Sequence, residues 1–293
     1  MRIGFVGLGL MGLPMAKRLL QAGHELHVLA RSREALPAEG VTAADSIAEI
    51  AASVEVFCSC RVSPEHSLEV FLGAEGVATA AADGLLCIDF ATIDPGTSRR
   101  IAAALAERGL DYLDAPISGG PDGAEAGTLS VIVGGRQAAV ERARPLFEAF
   151  GRSVSHMGGP GTGVTAKLCN NMISITTHAL LAEAMVLGVK AGIDARALYE
   201  VLSRSSAGSR TLERVVPHHF LTRDFAPAAT IATIMKDLQC ALDLARGEGV
   251  RLLLPTMAMQ CYVEAKGRGH AEADIAAVIL PMEEIAGVRV GGE

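Results

Sequence analysis

The sequence predicts an α/β domain built on a doubly wound parallel sheet, followed by an all-α domain, and three observations carry that reading. In the first half, short β-branched runs alternate with helical stretches, the pattern of a parallel sheet covered on both faces. A glycine-rich turn, Gly7-Leu8-Gly9-Leu10-Met11-Gly12, separates the first strand from the first helix. Beyond residues 158–163 (GGPGTG) the strand signal stops and helical periodicity takes over. The boundary is accordingly placed after residue 162, giving domains 1–162 and 163–293.

Taken in order, residues 3–6 read as a strand, 11–21 as a helix and 26–29 as a strand. Further strands are predicted at 54–59, 85–90 and 112–114, with helices at 67–71 and 97–107. Two more strands, 129–133 and 154–156, flank a helix at 137–150. A long helix at 164–190 joins the domains, and Gly192 is placed to stop it. Asp194 is the expected N-cap of a helix running to Leu202. Helices follow at 233–246, 257–266 and 274–285, and the tail after Val288 is expected to fray.

Of the 293 residues, 50% are hydrophobic and 20% charged, apolar material enough for sizeable cores. The net charge is −7, from 26 Lys and Arg against 33 Asp and Glu. Without a basic tract, that balance argues against nucleic acid or an anionic membrane as partner. The apolar start, MRIGFVGLGLMG, carries one early Arg and helix-weakening glycines, so it is not read as a secretory signal. No apolar run is read as long enough to span a bilayer. Cys58, Cys60, Cys87, Cys169, Cys240 and Cys261 lack paired-ligand spacing; they read as buried reduced thiols, with no metal site and a cytoplasmic location.

The glycine turn carries the first chemistry. Gly7 permits the tight turn, Gly9 lets a pyrophosphate approach the backbone, and Gly12 lets the helix pack close to the strand. Leu8, Leu10 and Met11 complete the loop, and the helix N-terminus offers N–H groups to phosphates. Pro14 is tolerated because a first-turn N–H needs no partner inside the helix. A Rossmann-type dinucleotide site follows. At the end of the second strand, Val28-Leu29-Ala30-Arg31-Ser32-Arg33 contains no acid to bind a ribose 2′-hydroxyl. Arg31 and Ser32 suit a 2′-phosphate instead, so NADP(H) is expected over NAD(H).

By now the chain resembles the β-hydroxyacid dehydrogenase family, which includes 3-hydroxyisobutyrate dehydrogenases and tartronate or glyoxylate/succinic semialdehyde reductases. The likeness runs nearly end to end. It rests on GFVGLGLMGLPMA (4–16), DFATIDPGTS (89–98), DAPISGGPDGAEAGTLSVIVGG (114–135), GTGVTAKLCNNM (161–172) and MKDL (235–238), in that order and spacing. The resemblance implies that Ser118, Gly119 and Gly120 bind the carboxylate of a small substrate, and glycine-turn N–H groups can make such an anion nest. It also implies that Lys167 is the catalytic acid and base, with Asn171 binding substrate. Residues four apart share a helix face, and Lys167 lies in a stretch, 163–175, without an acid; beside a cleft it is expected to have a lowered pKa.

Thr92 and Lys236 are implied to contact the cofactor, with Phe225 beside the nicotinamide, although Lys236-Asp237 also reads as a solvated helix pair. Cys60-Arg61 stands where relatives often carry Leu-Pro and adds a cation near the cofactor or substrate mouth. Two other readings compete with a hydroxyacid or semialdehyde oxidoreductase: an imine reductase-like enzyme, which commonly lacks the lysine, and a catalytically silent NADP-binding protein. The chain is too short for the enlarged helical domain of 6-phosphogluconate dehydrogenases. The helix at 164–190 is apolar on more than one side, through Ile173, Ile175, Leu180, Leu181, Met185 and Leu187. A homodimer or homotetramer is therefore expected.

Overall fold

A computed structural model describes residues 1–292. By its internal contacts the chain divides into Met1–Lys167 and a second unit from Leu168 onward. The division falls inside one continuous helix, Thr162–Lys190.

The first unit is built on strands β1 (Arg2–Val6), β2 (Glu25–Leu29), β3 (Val41–Ala44), β4 (Val56–Ser59), β5 (Leu86–Asp89), β6 (Asp111–Asp114), β7 (Ile117–Ser118), β8 (Leu129–Gly134) and β9 (Gly151–Gly158). Their order is β3-β2-β1-β4-β5-β6-β8-β7, with β9 paired to β8. Pairings from β3 through β6 are parallel, as in Ile3 opposite Leu26 and Phe5 opposite Cys58. β8 runs antiparallel to β6 and β7. The order 3-2-1-4-5-6 is the doubly wound arrangement, whose strand order reverses between β1 and β4.

Alternation along the strands fills two cores. Ile3, Phe5, Val28 and Cys58 join Met15 and Leu19 on one face; Val6, Phe57 and Cys87 join Ile50, Phe71 and Ile101 on the other. A parallel sheet buried on both faces needs such near-continuous apolar strands. Strands β3 and β7 were not predicted, nor were the helices Ile47–Ser53, Gly120–Ala126 and Arg210–Val215.

The second unit is helical, with Ala195–Arg204, Arg210–Val215, Ile231–Gly247, Leu254–Ala265 and Ile279–Ala286 around the long helix. Ile175, Ala182, Met185, Phe220, Leu238 and Tyr262 form its core. The Tyr262 hydroxyl donates to the Ile175 carbonyl at 2.8 Å, so the one buried phenol there is satisfied. Gly192 leaves the long helix at φ +89°, and Asp194 caps the next one by accepting from the Ala197 N–H.

Three expectations need correction. The Thr162–Lys190 helix, 29 residues long and containing an 18-residue window of mean hydropathy 1.6, is long and apolar enough to cross a membrane by length and composition. Its Ile175, Ala179, Ala182 and Met185 pack instead into the helical core, and a core helix meets the same criterion. The cysteines are all free, but only Cys58 and Cys87 are buried, while Cys169 is exposed. The tail does not simply fray: Val290 is buried and its N–H donates to Glu283 at 2.7 Å, and the Gly292 N–H reaches the Leu221 carbonyl.

Candidate active site

In the first unit the predicted residues gather at the carboxyl edge of the sheet, where strand order reverses and doubly wound sheets bind ligands. Gly7 follows β1 at φ +101°, and an added Cβ would overlap the Cys60 carbonyl oxygen just past β4. At Gly12 a Cβ would overlap the Gly7 carbonyl oxygen, so turn and helix meet backbone to backbone. Gly9 differs: its missing Cβ faces open space. The helix Gly12–Gln21 begins at Met11 without a side-chain cap and without an acid in its first turn. Close packing behind the loop, open space before it and uncapped N–H groups fit the pyrophosphate of a dinucleotide. Leu8 and Met11 are partly covered, and Leu10 is 68% exposed.

Arg31 and Ser32 lie in a 3-10 turn, Ala30–Ala35, directly after β2. The neighbouring Arg33 is committed to the carbonyls of Leu36 and Ala38, whereas Arg31 is exposed. No acid precedes Glu34 in that turn. Arg61, after β4, lays its stem toward Gly7: a Cβ there would lie 3.4 Å from the Arg61 Cδ. Thr92 follows β5 at the same edge, partly exposed.

Ser118 ends β7, paired across the strands with Ser130. Gly119 and Gly120 follow at φ +139° and +68°, conformations that favour glycine. The strand that leads into this turn, β6, ends at Asp114, which sequence reading passed over. The Asp114 carboxylate is buried and accepts the N–H groups of Gly161 (2.7 Å) and Val164 (2.8 Å). One turn further along that helix stands Lys167, only 8% exposed.

In the helical unit Asn171, one turn beyond Lys167 on the same helix, donates its amide to Asp237 at 2.7 Å and accepts from the Asn170 amide at 3.1 Å. Asp237 is 7% exposed, and Lys236 pairs with it at 2.8 Å. The solvated helix pair is thus corrected. Asp237 was missed as a site residue because an adjacent Lys and Asp on a helix carry no sign of which one turns inward. Phe225 has different neighbours: the Arg223 guanidinium lies 5.1 Å from its ring centroid, and its carbonyl accepts the Asp274 N–H.

Residues 2–159 match the family model of the NAD binding domain of 6-phosphogluconate dehydrogenase. Residues 161–282 match that of the NAD-binding region of NADP-dependent 3-hydroxyisobutyrate dehydrogenase. The chain is 38% identical to the NAD-dependent L-serine dehydrogenase of Pseudomonas aeruginosa, over 94% of this chain and 96% of that one. It is 36% identical to the 2-hydroxy-3-oxopropionate reductase of Escherichia coli, over 98% of each. Among solved structures, 3-hydroxyisobutyrate dehydrogenase of Mycobacterium tuberculosis with L-serine superposes with a TM-score of 0.88 at 32% identity, covering 96% of this chain and 98% of that one. The chain therefore belongs to the β-hydroxyacid dehydrogenase family and is an oxidoreductase with a nicotinamide-dinucleotide-binding domain of Rossmann type.

Proposed function

We propose that the chain interconverts a small carboxylate-bearing semialdehyde and its hydroxy acid, using NADP(H) in preference to NAD(H), with Lys167 as general acid and base. The observation that carries the reading is the single helical turn from Lys167 to Asn171, where a lysine 8% exposed precedes an asparagine whose amide is held by a buried carboxylate. The nicotinamide, when bound, supplies or takes the hydride. In reduction, negative charge grows on the carbonyl oxygen; the Lys167 ammonium stabilises it and gives its proton. In oxidation, the Lys167 amine takes the proton from the hydroxyl. Asn171 orients the substrate, and the turn of Ser118, Gly119 and Gly120 takes its carboxylate. Arg31 and Ser32 would hold the cofactor's 2′-phosphate, since no acid there repels it.

The relatives' names narrow the substrate class. L-Serine, 3-hydroxyisobutyrate and 2-hydroxy-3-oxopropionate each place the reacting carbon two bonds from a carboxyl carbon. They differ in the small group on the carbon between. The test is an oxidation and reduction screen of that series with both cofactors, repeated with Lys167→Ala and Lys167→Arg. Lys167→Ala should lower kcat by about 10²–10⁴ with NADPH affinity kept. Lys167→Arg should restore little, because a guanidinium holds its proton at any working pH. Near-normal turnover in folded Lys167→Ala would sink the mechanism and bring imine reduction forward. No turnover of any member by the wild type would favour a silent dinucleotide-binding protein.

A further inference from the structure

Asp114 closes β6 and sends its side chain into the start of the helix that bears Lys167. Both carboxylate oxygens are used there, Oδ1 by the Gly161 N–H and Oδ2 by the Val164 N–H. The first N–H groups of a helix have no acceptor within it, and buried ones need a partner. A negative charge also suits the positive end of the helix dipole. Burial raises the Asp114 carboxyl above its ordinary value, and the two N–H bonds act the other way.

Glycines make the joint close. A Cβ at Gly163 would lie 2.6 Å from both the Asp114 carbonyl oxygen and the Gly134 nitrogen, and 2.7 Å from the Ile132 carbonyl oxygen. A Cβ at Gly134 would lie 2.6 Å from the Asp114 Oδ1. The helix start is thus seated on the ends of β6 and β8 with backbone against backbone. The same two strands carry the substrate turn: Ser118 follows Asp114 by four residues and pairs with Ser130 of β8.

We propose that Asp114 is a positioning residue, fixing Lys167 relative to the turn of Ser118, Gly119 and Gly120. It touches no reacting atom. Two acceptors gripping N–H groups three residues apart restrain the helix start from both sliding and turning. An asparagine can accept only one of the two, and its NH₂ then confronts the other donor. A shift of about 1 Å in a catalytic group can cost about 10²-fold in rate. The inference rests on Lys167 being the acid and base.

The experiment is a double-mutant cycle on turnover, using Asp114→Asn, Lys167→Ala and the double variant. Each is assayed with the most active member of the hydroxy-acid series, and NADPH affinity is titrated alongside. Asp114→Asn should lower kcat about 10- to 100-fold with NADPH affinity unchanged, and should lower the residual turnover of Lys167→Ala no further, because coupled residues are non-additive. Gly163→Ala, which keeps the carboxylate but wedges the joint, should give the same pattern and serves if Asp114→Asn is too unstable to assay. Equal losses in both backgrounds would reduce Asp114 to a general structural residue and overturn the proposal. So would normal turnover in Asp114→Asn or, if that variant cannot be assayed, in Gly163→Ala. If Lys167→Ala itself keeps turnover, the reading of Lys167 fails first, and that result is separate from these.

Discussion

Asn171 donates its side-chain amide to a carboxylate, that of Asp237, which is itself buried and held on its other oxygen by Lys236. The asparagine proposed to bind substrate therefore has its amide orientation set by Asp237. Asp237→Ala frees the amide to rotate and removes the counter-ion of Lys236. Losing a hydrogen bond to a charged group costs about 1.5–3 kcal/mol, so KM for the hydroxy acid should rise at least about tenfold, with a smaller fall in kcat. Steady-state kinetics of Asp237→Ala, Asn171→Ala and the pair check this. Fully additive effects on KM would show that the two residues act independently.

Two arginines at the sheet's carboxyl edge should divide the anions of the cofactor. Arg31 follows β2 in a turn without acids, while the stem of Arg61 approaches Gly7 in the phosphate loop. Arg31→Ala should weaken NADPH binding by about 1.5–3 kcal/mol and leave NADH almost unchanged. Arg61→Ala should weaken both cofactors alike, because both carry a pyrophosphate. Fluorescence titrations with the two reduced cofactors measure this. A wild type that prefers NADH, or equal losses on Arg31→Ala, would mean the turn after β2 has been misread.

The legible parts of the fold were those with strong period or punctuation. β1, the glycine turn and the following helix stand almost where the pattern put them, and so do the Gly192 stop and the Asp194 cap. β3 was missed because Val-Thr-Ala-Ala is short and only Ala44 of it is buried, leaving no apolar alternation to see. The helix Ile47–Ser53 had a readable start, since Ser46 accepts the Glu49 N–H in the S-x-x-E pattern. The candidate site was legible where backbone or motif specified it, at Gly7, Gly9, Gly12, Gly119 and Gly120. Asp114 and Asp237 were not, because each works through partners 47 to 66 residues away in sequence.

Assembly follows from the long helix. Ile175, Leu181 and Met185 are buried, but Ile173, Leu180 and Leu187 remain 64%, 60% and 70% exposed. Spaced by seven, those three form one stripe on the helix. A homodimer or homotetramer that covers the stripe is expected, and Leu180→Glu should shift it toward smaller species. Light scattering at micromolar concentration decides. A wild-type monomer, or an assembly indifferent to Leu180→Glu, removes the stripe from the interface.

Acid should act in opposite directions on two buried side chains, His178 in the helical unit and Asp89 in the sheet unit. Burial pushes His178 down to about 4, against the hydrogen bond from its Nδ1 to the Ser174 carbonyl. The unfolded chain then binds a proton that the native helical unit does not, so its stability is full above pH 6.5 and is lost as pH falls toward 4. Over that window the loss is about 3 kcal/mol. In the sheet unit, burial raises Asp89 to about 6, partly offset by the Ala91 N–H. There the native state binds the extra proton, so a similar penalty, about 3 kcal/mol, is present above pH 6 and relieved as pH falls toward 3.8. Urea melts at pH 7 and pH 4.5 separate the two. His178→Asn, whose amide can replace the Nδ1–H, should lose less stability on acidification than the wild type, and Asp89→Asn should lose more. If both variants deviate from the wild type in the same direction, at least one of the two buried groups does not titrate as its surroundings dictate.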